Sequence, residues 1–214
     1  MAEDLFGDEE LREEVLGPGA KLLRGFALAW ETEVLAGVRD VVELAPFRHM
    51  VTPGGFRMSV AMTNCGGLGW VTDRRGYRYD ARDPESGVAW PSMPRVFLGL
   101  ASKAASCAGF AGFVPDACLM NRYEPGAKMS LHQDKDEKDF GWPIVSVSLG
   151  VPAVFLFGGM SRGEKTARVP LLHGDVVVWG GPARMRFHGV LPLKPGRHSS
   201  FDGFRVNLTF RRAG

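Results

Sequence analysis

Between Asn121 and Asp136 the chain places His132 and Asp134 two residues apart among charged neighbours. In an extended segment, positions i and i+2 point the same way, so an imidazole and a carboxylate share one face. These are two of the three groups of a 2-His-1-carboxylate triad, which holds Fe(II) and keeps coordination positions open for a cosubstrate and oxygen. A pattern this short recurs by chance in solvated loops, so a third ligand has to come from elsewhere. His188 lies in Met185 to Val190, which reads as a strand that could neighbour the first pair. His173 competes, but His173-Gly174-Asp175 reads as a turn whose Asp opens the next strand. His49 and His198 fall in loop-like segments.

The last strand separates two kinds of residue by parity. Val206, Leu208 and Phe210 share one face, and Arg205, Asn207, Thr209 and Arg211 share the other. In a half-buried strand the polar face is simply wet. If it faced a barrel interior, two arginine forks would be placed to grip an acidic ligand in bidentate fashion.

The elements that must position these residues are legible as periodicities. Apolar residues recur at helical spacing from Ala29 to Ala45 and again from about Pro94 to Ala108, predicting two amphipathic helices packed on a sheet. After residue 115 come short strands, Ala117 to Tyr123, Pro143 to Val151, Ala153 to Phe157, Arg168 to Leu172, Asp175 to Trp179, Met185 to Val190 and Phe204 to Arg211. Separated by Gly and Pro turns, they argue for a sandwich or jelly-roll barrel, not βαβ units. Lys21 to Phe26 reads as a first strand, and Phe56, Met58, Val60 and Met62 alternate as a further one. The fold class expected is α+β.

Between the helices, Trp70, Tyr77 and Tyr79 sit among Arg74, Arg75, Arg78 and Arg82. Aromatics interleaved with cations suit a stacked base and its phosphates; they equally suit a lid that fills its own small core.

A chain of 214 residues fits a single domain with a substantial core. Its net charge of +2 hides an asymmetry: residues 1 to 20 carry seven acids against one base, leaving 25 bases against 17 acids in the rest. The first 20 residues are expected to form an acidic mobile arm, and residues 21 to 214 one basic domain suited to a polyanion. The three cysteines, Cys65, Cys107 and Cys118, are widely spaced and suggest neither a disulfide framework nor a thiolate zinc site. No apolar run is long enough to span a bilayer and the N-terminus is acidic, so a cytoplasmic protein without membrane contact is expected.

Together, His132-x-Asp134, His188 and Arg205-x-Asn207-x-x-x-Arg211 resemble the iron- and 2-oxoglutarate-dependent dioxygenases. Within them, Asn121-Arg122-Tyr123 and the strand from Arg205 to Arg211 are similar to the AlkB nucleic-acid demethylases. The likeness runs from the turn Met50 to Gly55 through Trp70 and Tyr77 to the final strand. It implies a double-stranded β-helix core with supporting helices and a nucleotide-recognition lid at about residues 50–92. It implies Fe(II) on His132, Asp134 and His188, with 2-oxoglutarate held by Arg205 and Arg211 and helped by Asn121, Tyr123, Ser146 and Asn207. Oxygen would be the second cosubstrate. Trp70 would stack on a flipped base across from His132, Asp136 would approach its exocyclic amine, and Met62 would be pocket wall. Thr52, Tyr77, Lys128 and Arg162 would steady the backbone.

The activity implied is oxidative demethylation of bases such as 1-methyladenine and 3-methylcytosine by a monomer. Single-stranded DNA is the expected partner, with duplex DNA and RNA as further candidates. The competing expectations are an oxygenase for RNA or protein side chains and a non-catalytic module that binds methylated bases. Inside the lid, Gly67 and Asp73 stand where the resembling bacterial proteins have histidines, which bears on lid shape and substrate range.

Overall fold

The computed structural model describes residues 12–214. It opens with a hairpin, β1 (Glu13–Gly17) and β2 (Ala20–Leu23), turned by Gly17-Pro18-Gly19. This corrects the acidic arm expected over residues 1–20: from Glu13 onward the chain is paired strand, and residues 1–11 of that arm lie outside the described residues. The acids are neutralised locally. Glu13 pairs with Lys21 at 2.8 Å, and Glu14 pairs with Arg24 at 2.7 Å. Arg24 also bonds Asp175, so the hairpin is riveted to the barrel. The strand expected over Lys21 to Phe26 ends at Leu23, because Gly25 turns the chain at φ 63° into a 3-10 helix, Phe26–Trp30.

Helix α1 (Glu31–Leu44) follows, then β3 (Ala61–Gly66), the lid strands β4 (Gly69–Asp73) and β5 (Gly76–Asp80), and helix α2 (Arg95–Cys107). The barrel strands are β6 (Ala117–Tyr123), β7 (Met129–His132), β8 (Ile144–Gly150), β9 (Ala153–Phe157), β10 (Ala167–Leu171), β11 (Val176–Trp179), β12 (His188–Val190) and β13 (Arg205–Arg211). The major sheet runs β1-β2-β11-β8-β13-β6-β3 and the minor sheet β10-β9-β12-β7.

The alternation at Phe56 to Met62 becomes a strand only from Ala61. Before it, the chain folds back around Pro53-Gly54-Gly55, where Thr52 donates its N–H to Phe56 and Met58 donates to Met50.

Two apolar layers follow from strand parity. On one side of the major sheet, Val34, Val38 and Val41 of α1 and Phe97 and Leu100 of α2 pack on Val145, Val147, Val206, Leu208 and Phe210. On the other side, Leu119, Ile144 and Val177 meet Phe155 and Phe157 of the minor sheet. All seven residues of β13 are buried. Its polar face is therefore not wet: flanked by β6 and β8, it lines the barrel interior.

The lid is a two-stranded ribbon, too small to be stable alone. The buried side chain of Asn64 clamps it, donating to the Trp70 carbonyl and accepting the Trp70 N–H, each at 3.0 Å. Gly69 packs so closely on Trp90 that a Cβ would collide with the indole, while Trp90 Nε1 donates to the Asp80 carbonyl at 3.0 Å. Asn64→Ala would orphan both backbone groups and should cost about 1–3 kcal/mol. Denaturant unfolding measures the loss, and amide exchange in residues 69–80 should quicken with it.

Candidate active site

His132 ends β7 and His188 begins β12, directly opposite in the antiparallel register, with ring centroids 4.4 Å apart. Asp134 lies just past the end of β7. Nε2 of His132 is 3.7 Å and Nε2 of His188 is 3.5 Å from the Asp134 carboxylate, and all three donor groups lie within 4.8 Å of one another. A single first-row ion, bonding each donor at about 2.0–2.2 Å, can span such separations.

The imidazoles are set for this by their other nitrogen. Nδ1 of His132 meets the Ser130 carbonyl at 2.8 Å, and Nδ1 of His188 meets the Arg186 carbonyl at 3.0 Å. A carbonyl only accepts, so each Nδ1 carries the proton and each Nε2 offers a lone pair. Burial, reinforced by the neighbouring His188, pushes the His132 pKa down to about 4. Burial opposes the charge of Asp134, but Arg211 and His188 hold it well below the usual carboxylate range. Two imidazole nitrogens turned toward one ionised carboxylate are the donor set that an iron(II) site requires.

Deeper in the barrel, the guanidinium of Arg205 is buried over the Tyr123 ring at 5.0 Å. It donates from Nη2 to Ser148 Oγ at 3.0 Å, yet its Nε and Nη1 have no partner among the described residues, nor does a carboxylate pair with it. Asn207 donates to Ser146 Oγ at 2.8 Å, accepts from Asn121 at 3.3 Å, and leaves Asn121 Oδ1 unpaired. A buried cation without a counter-charge costs several kcal/mol. The cradle therefore fits a ligand carboxylate. Arg211, six residues along the same face, donates to Asp134 at 2.7 Å.

The outer part belongs to the lid. Trp70 and Tyr77 stack at 5.7 Å and 22°, and Trp70 Nε1 donates to Asp136 at 2.8 Å. Met62 is a fully buried wall, and the Arg162 guanidinium lies 5.3 Å from the Phe187 ring. Lys128 presents its side chain from a loop pinned to Ser59 by paired hydrogen bonds. Asp73 binds Arg78 at 2.9 Å and Arg75 at 3.3 Å, so two of the lid's arginines are engaged within the hairpin.

One cavity of about 770 Å³ joins these regions. Its lining includes every residue that the resemblance assigns to iron, cosubstrate or base, from Thr52, Met62, Trp70 and Tyr77 to Asn207 and Arg211, but not Tyr79, Arg74, Arg75, Arg78 or Arg82 of the aromatic and cationic run. His173 stays apart, accepting the Gly150 N–H and stacking on His198 at 4.3 Å, as its structural reading expects. Sequence reasoning missed Glu137 and Arg184, and it placed Tyr79 among the lid aromatics without its bond to Glu137. Glu137 sits in a run of charges that looks solvated, but its side chain is 2% exposed. Trp179, whose ring meets His188 edge-on at 5.0 Å, carries no signal in the sequence beyond its place in a strand.

A jelly roll that carries this triad at its mouth and two arginines on one inner strand defines the 2-oxoglutarate-dependent iron oxygenases. The model of the 2OG-Fe(II) oxygenase superfamily matches residues 19–211, and the chain belongs to that superfamily, in its AlkB dioxygenase family. It is 57% identical over 210 residues to the alpha-ketoglutarate-dependent dioxygenase AlkB of Salmonella typhimurium, covering 98% of this chain and 97% of that protein. It is 32% identical over 174 residues to the DNA N(6)-methyladenine demethylase ALKBH1C of Arabidopsis thaliana, covering 69% of this chain and 38% of that one. The solved structure of OsALKBH1 superposes with a TM-score of 0.82 at 30% identity, covering 94% of this chain and 100% of that one. The enzyme is thus a dioxygenase that uses Fe(II), 2-oxoglutarate and O2.

His132→Ala should weaken divalent-metal binding by at least about tenfold to a hundredfold, since even groups behind a ligand contribute that much. Mn(II) titration followed by electron paramagnetic resonance measures it. Wild-type affinity would remove His132 from the site.

Proposed function

We propose that this enzyme oxidatively removes N-methyl groups from nucleic-acid bases and prefers single-stranded DNA carrying 1-methyladenine or 3-methylcytosine. The observation that carries the reading is the continuity of the cavity. The triad, a buried arginine lacking a counter-anion and a stacked aromatic pair on a lid open onto one space.

In this reading His132, Asp134 and His188 hold Fe(II). Arg205 takes one carboxylate of 2-oxoglutarate and Arg211 the other end, with Asn121, Tyr123, Ser146 and Asn207 completing the cradle. The bound iron and cosubstrates supply the oxidising power: 2-oxoglutarate becomes succinate and CO2, one oxygen atom going into succinate and the other into a methyl C–H bond. The hydroxymethyl base then releases formaldehyde, and the base is restored.

The chain's own residues present the methyl group. A methyl on a Watson–Crick edge is unreachable in a duplex, so the base must be unpaired or extruded, then gripped by stacking. Trp70 offers its face across from His132, and Tyr77, Thr52, Lys128 and Arg162 bracket the strand's backbone. Asp136 already accepts from Trp70 through one oxygen, leaving the other for an exocyclic amine. A methylated base that carries positive charge gains from that carboxylate.

Every group invoked comes from one chain, which supports a monomer as the working unit. Cys65 and Cys118 face each other across β3 and β6 as free, buried thiols, which suits a reducing cytoplasm.

The decisive experiment is mass spectrometry of single-stranded 1-methyladenine oligonucleotide incubated in air with protein, Fe(II), 2-oxoglutarate and ascorbate. The expected result is loss of one methylene's mass, absent with His132→Ala. Succinate without that loss would keep the oxygenase and reject the substrate; the same assay on RNA and duplex DNA ranks the partners. Trp70→Ala should weaken oligonucleotide binding by about 1–3 kcal/mol. Arg211→Ala should raise the 2-oxoglutarate requirement about tenfold to a hundredfold, the loss of a charged contact.

A further inference from the structure

Asp136 and Glu137 are consecutive, and they point opposite ways. Asp136 turns into the cavity and receives the Trp70 indole N–H of β4. Glu137 turns into the protein and receives the Tyr79 hydroxyl of β5 at 2.9 Å. Trp70 and Tyr79 are themselves directly paired across the lid hairpin. Two adjacent carboxylates therefore tether the two lid strands, one each.

Glu137 has further partners. Its Oε1 also forms an ion pair with Arg211, 3.1 Å from Nε, and its Oε2 forms one with Arg184, 3.0 Å from Nη2. Arg184 in turn donates to the Asp134 carbonyl at 2.8 Å and to the Trp142 carbonyl at 3.2 Å. Neither Glu137 nor Tyr79 lines the main cavity, so neither touches substrate or cosubstrate.

We infer that Glu137 and Tyr79 are positioning residues that set the Arg211 guanidinium for 2-oxoglutarate and thereby tie the lid to the cosubstrate pocket. The inference rests on the proposed function, in which Arg211 binds that cosubstrate. An arginine has a long side chain with considerable rotamer freedom, and a planar fork is effective only when pre-oriented. Glu137 and Asp134 together hold the Nε–Nη2 edge of the fork, while Arg211 still lines the cavity. Tyr79 fixes Glu137. Arg184, bound to the same carboxylate and to the Asp134 backbone, keeps that carboxylate in place relative to the metal ligands.

The test is calorimetric binding of 2-oxoglutarate to the Mn(II)-loaded protein, for which turnover is not needed. Tyr79→Phe deletes one hydroxyl and keeps the ring. It should weaken 2-oxoglutarate about threefold to tenfold, while Mn(II) affinity stays within about twofold of wild type, since the hydroxyl reaches the ligand Asp134 only through Glu137 and Arg211 and bonds no metal ligand itself. Glu137→Gln should weaken it further, and adding Tyr79→Phe to Glu137→Gln should cost little more, because the phenol acts through the carboxylate. A lowered unfolding temperature with unchanged 2-oxoglutarate affinity in Tyr79→Phe would reduce the contact to a structural one and overturn the inference. Should Glu137→Gln fail to fold, Tyr79→Phe alone decides. Arg211→Ala separates the two levels: wild-type 2-oxoglutarate affinity there would overturn the reading of Arg211 itself, whereas a loss there beside a normal Tyr79→Phe overturns only the positioning role.

Discussion

Asp134 and Arg211 lie 2.7 Å apart in the barrel, their side chains 11% and 7% exposed. Either charge alone would be costly there; together, with hydrogen bonds to both, they are tolerable. The pair also joins the two sheets, since Asp134 follows β7 of the minor sheet and Arg211 ends β13 of the major one. The geometry of the barrel mouth is therefore set by an electrostatic requirement as well as by packing. With Glu137 and Arg184 the cluster holds two anions and two cations. A divalent cation and a dicarboxylate entering together leave that balance unchanged, whereas either alone would upset it.

Burial converts ordinary residues into a site. Desolvation favours the neutral form of His132, and the Arg205 guanidinium is left short of acceptors because Ser148 and an aromatic face are what surround it. The lid supplies the opposite environment, half-exposed and aromatic, with Trp70 and Tyr77 stacked at its surface. One cavity spans both, so the path from the lid surface into the low-dielectric interior is continuous.

Much of this was legible in the sequence, where spacing alone carries geometry. His132 and Asp134 are related by strand period, β13 reveals its two faces by alternation, and both helices show their buried stripes. What was not legible depends on contacts between distant segments. Glu13 and Glu14 read as a solvated arm because their partners Lys21 and Arg24 become close only after the hairpin turns. Glu137 is chemically like its neighbours Asp136 and Asp139, and only its enclosure by Tyr79, Arg184 and Arg211 distinguishes it. The run from Phe56 to Met62 alternates convincingly, yet a backbone turn at Gly55, with φ 83°, claims its first half.

The parity of β13 makes that strand a partition between chemically opposite compartments. Positions 205, 207, 209 and 211 face the cavity, while 206, 208 and 210 face the helices. Selection can therefore rewrite the two faces as separate texts: a longer or shorter dicarboxylate could be accommodated through the odd positions without disturbing the hydrocarbon layer behind them. An insertion of one residue has no such freedom, because it would drive both arginines into that layer at once.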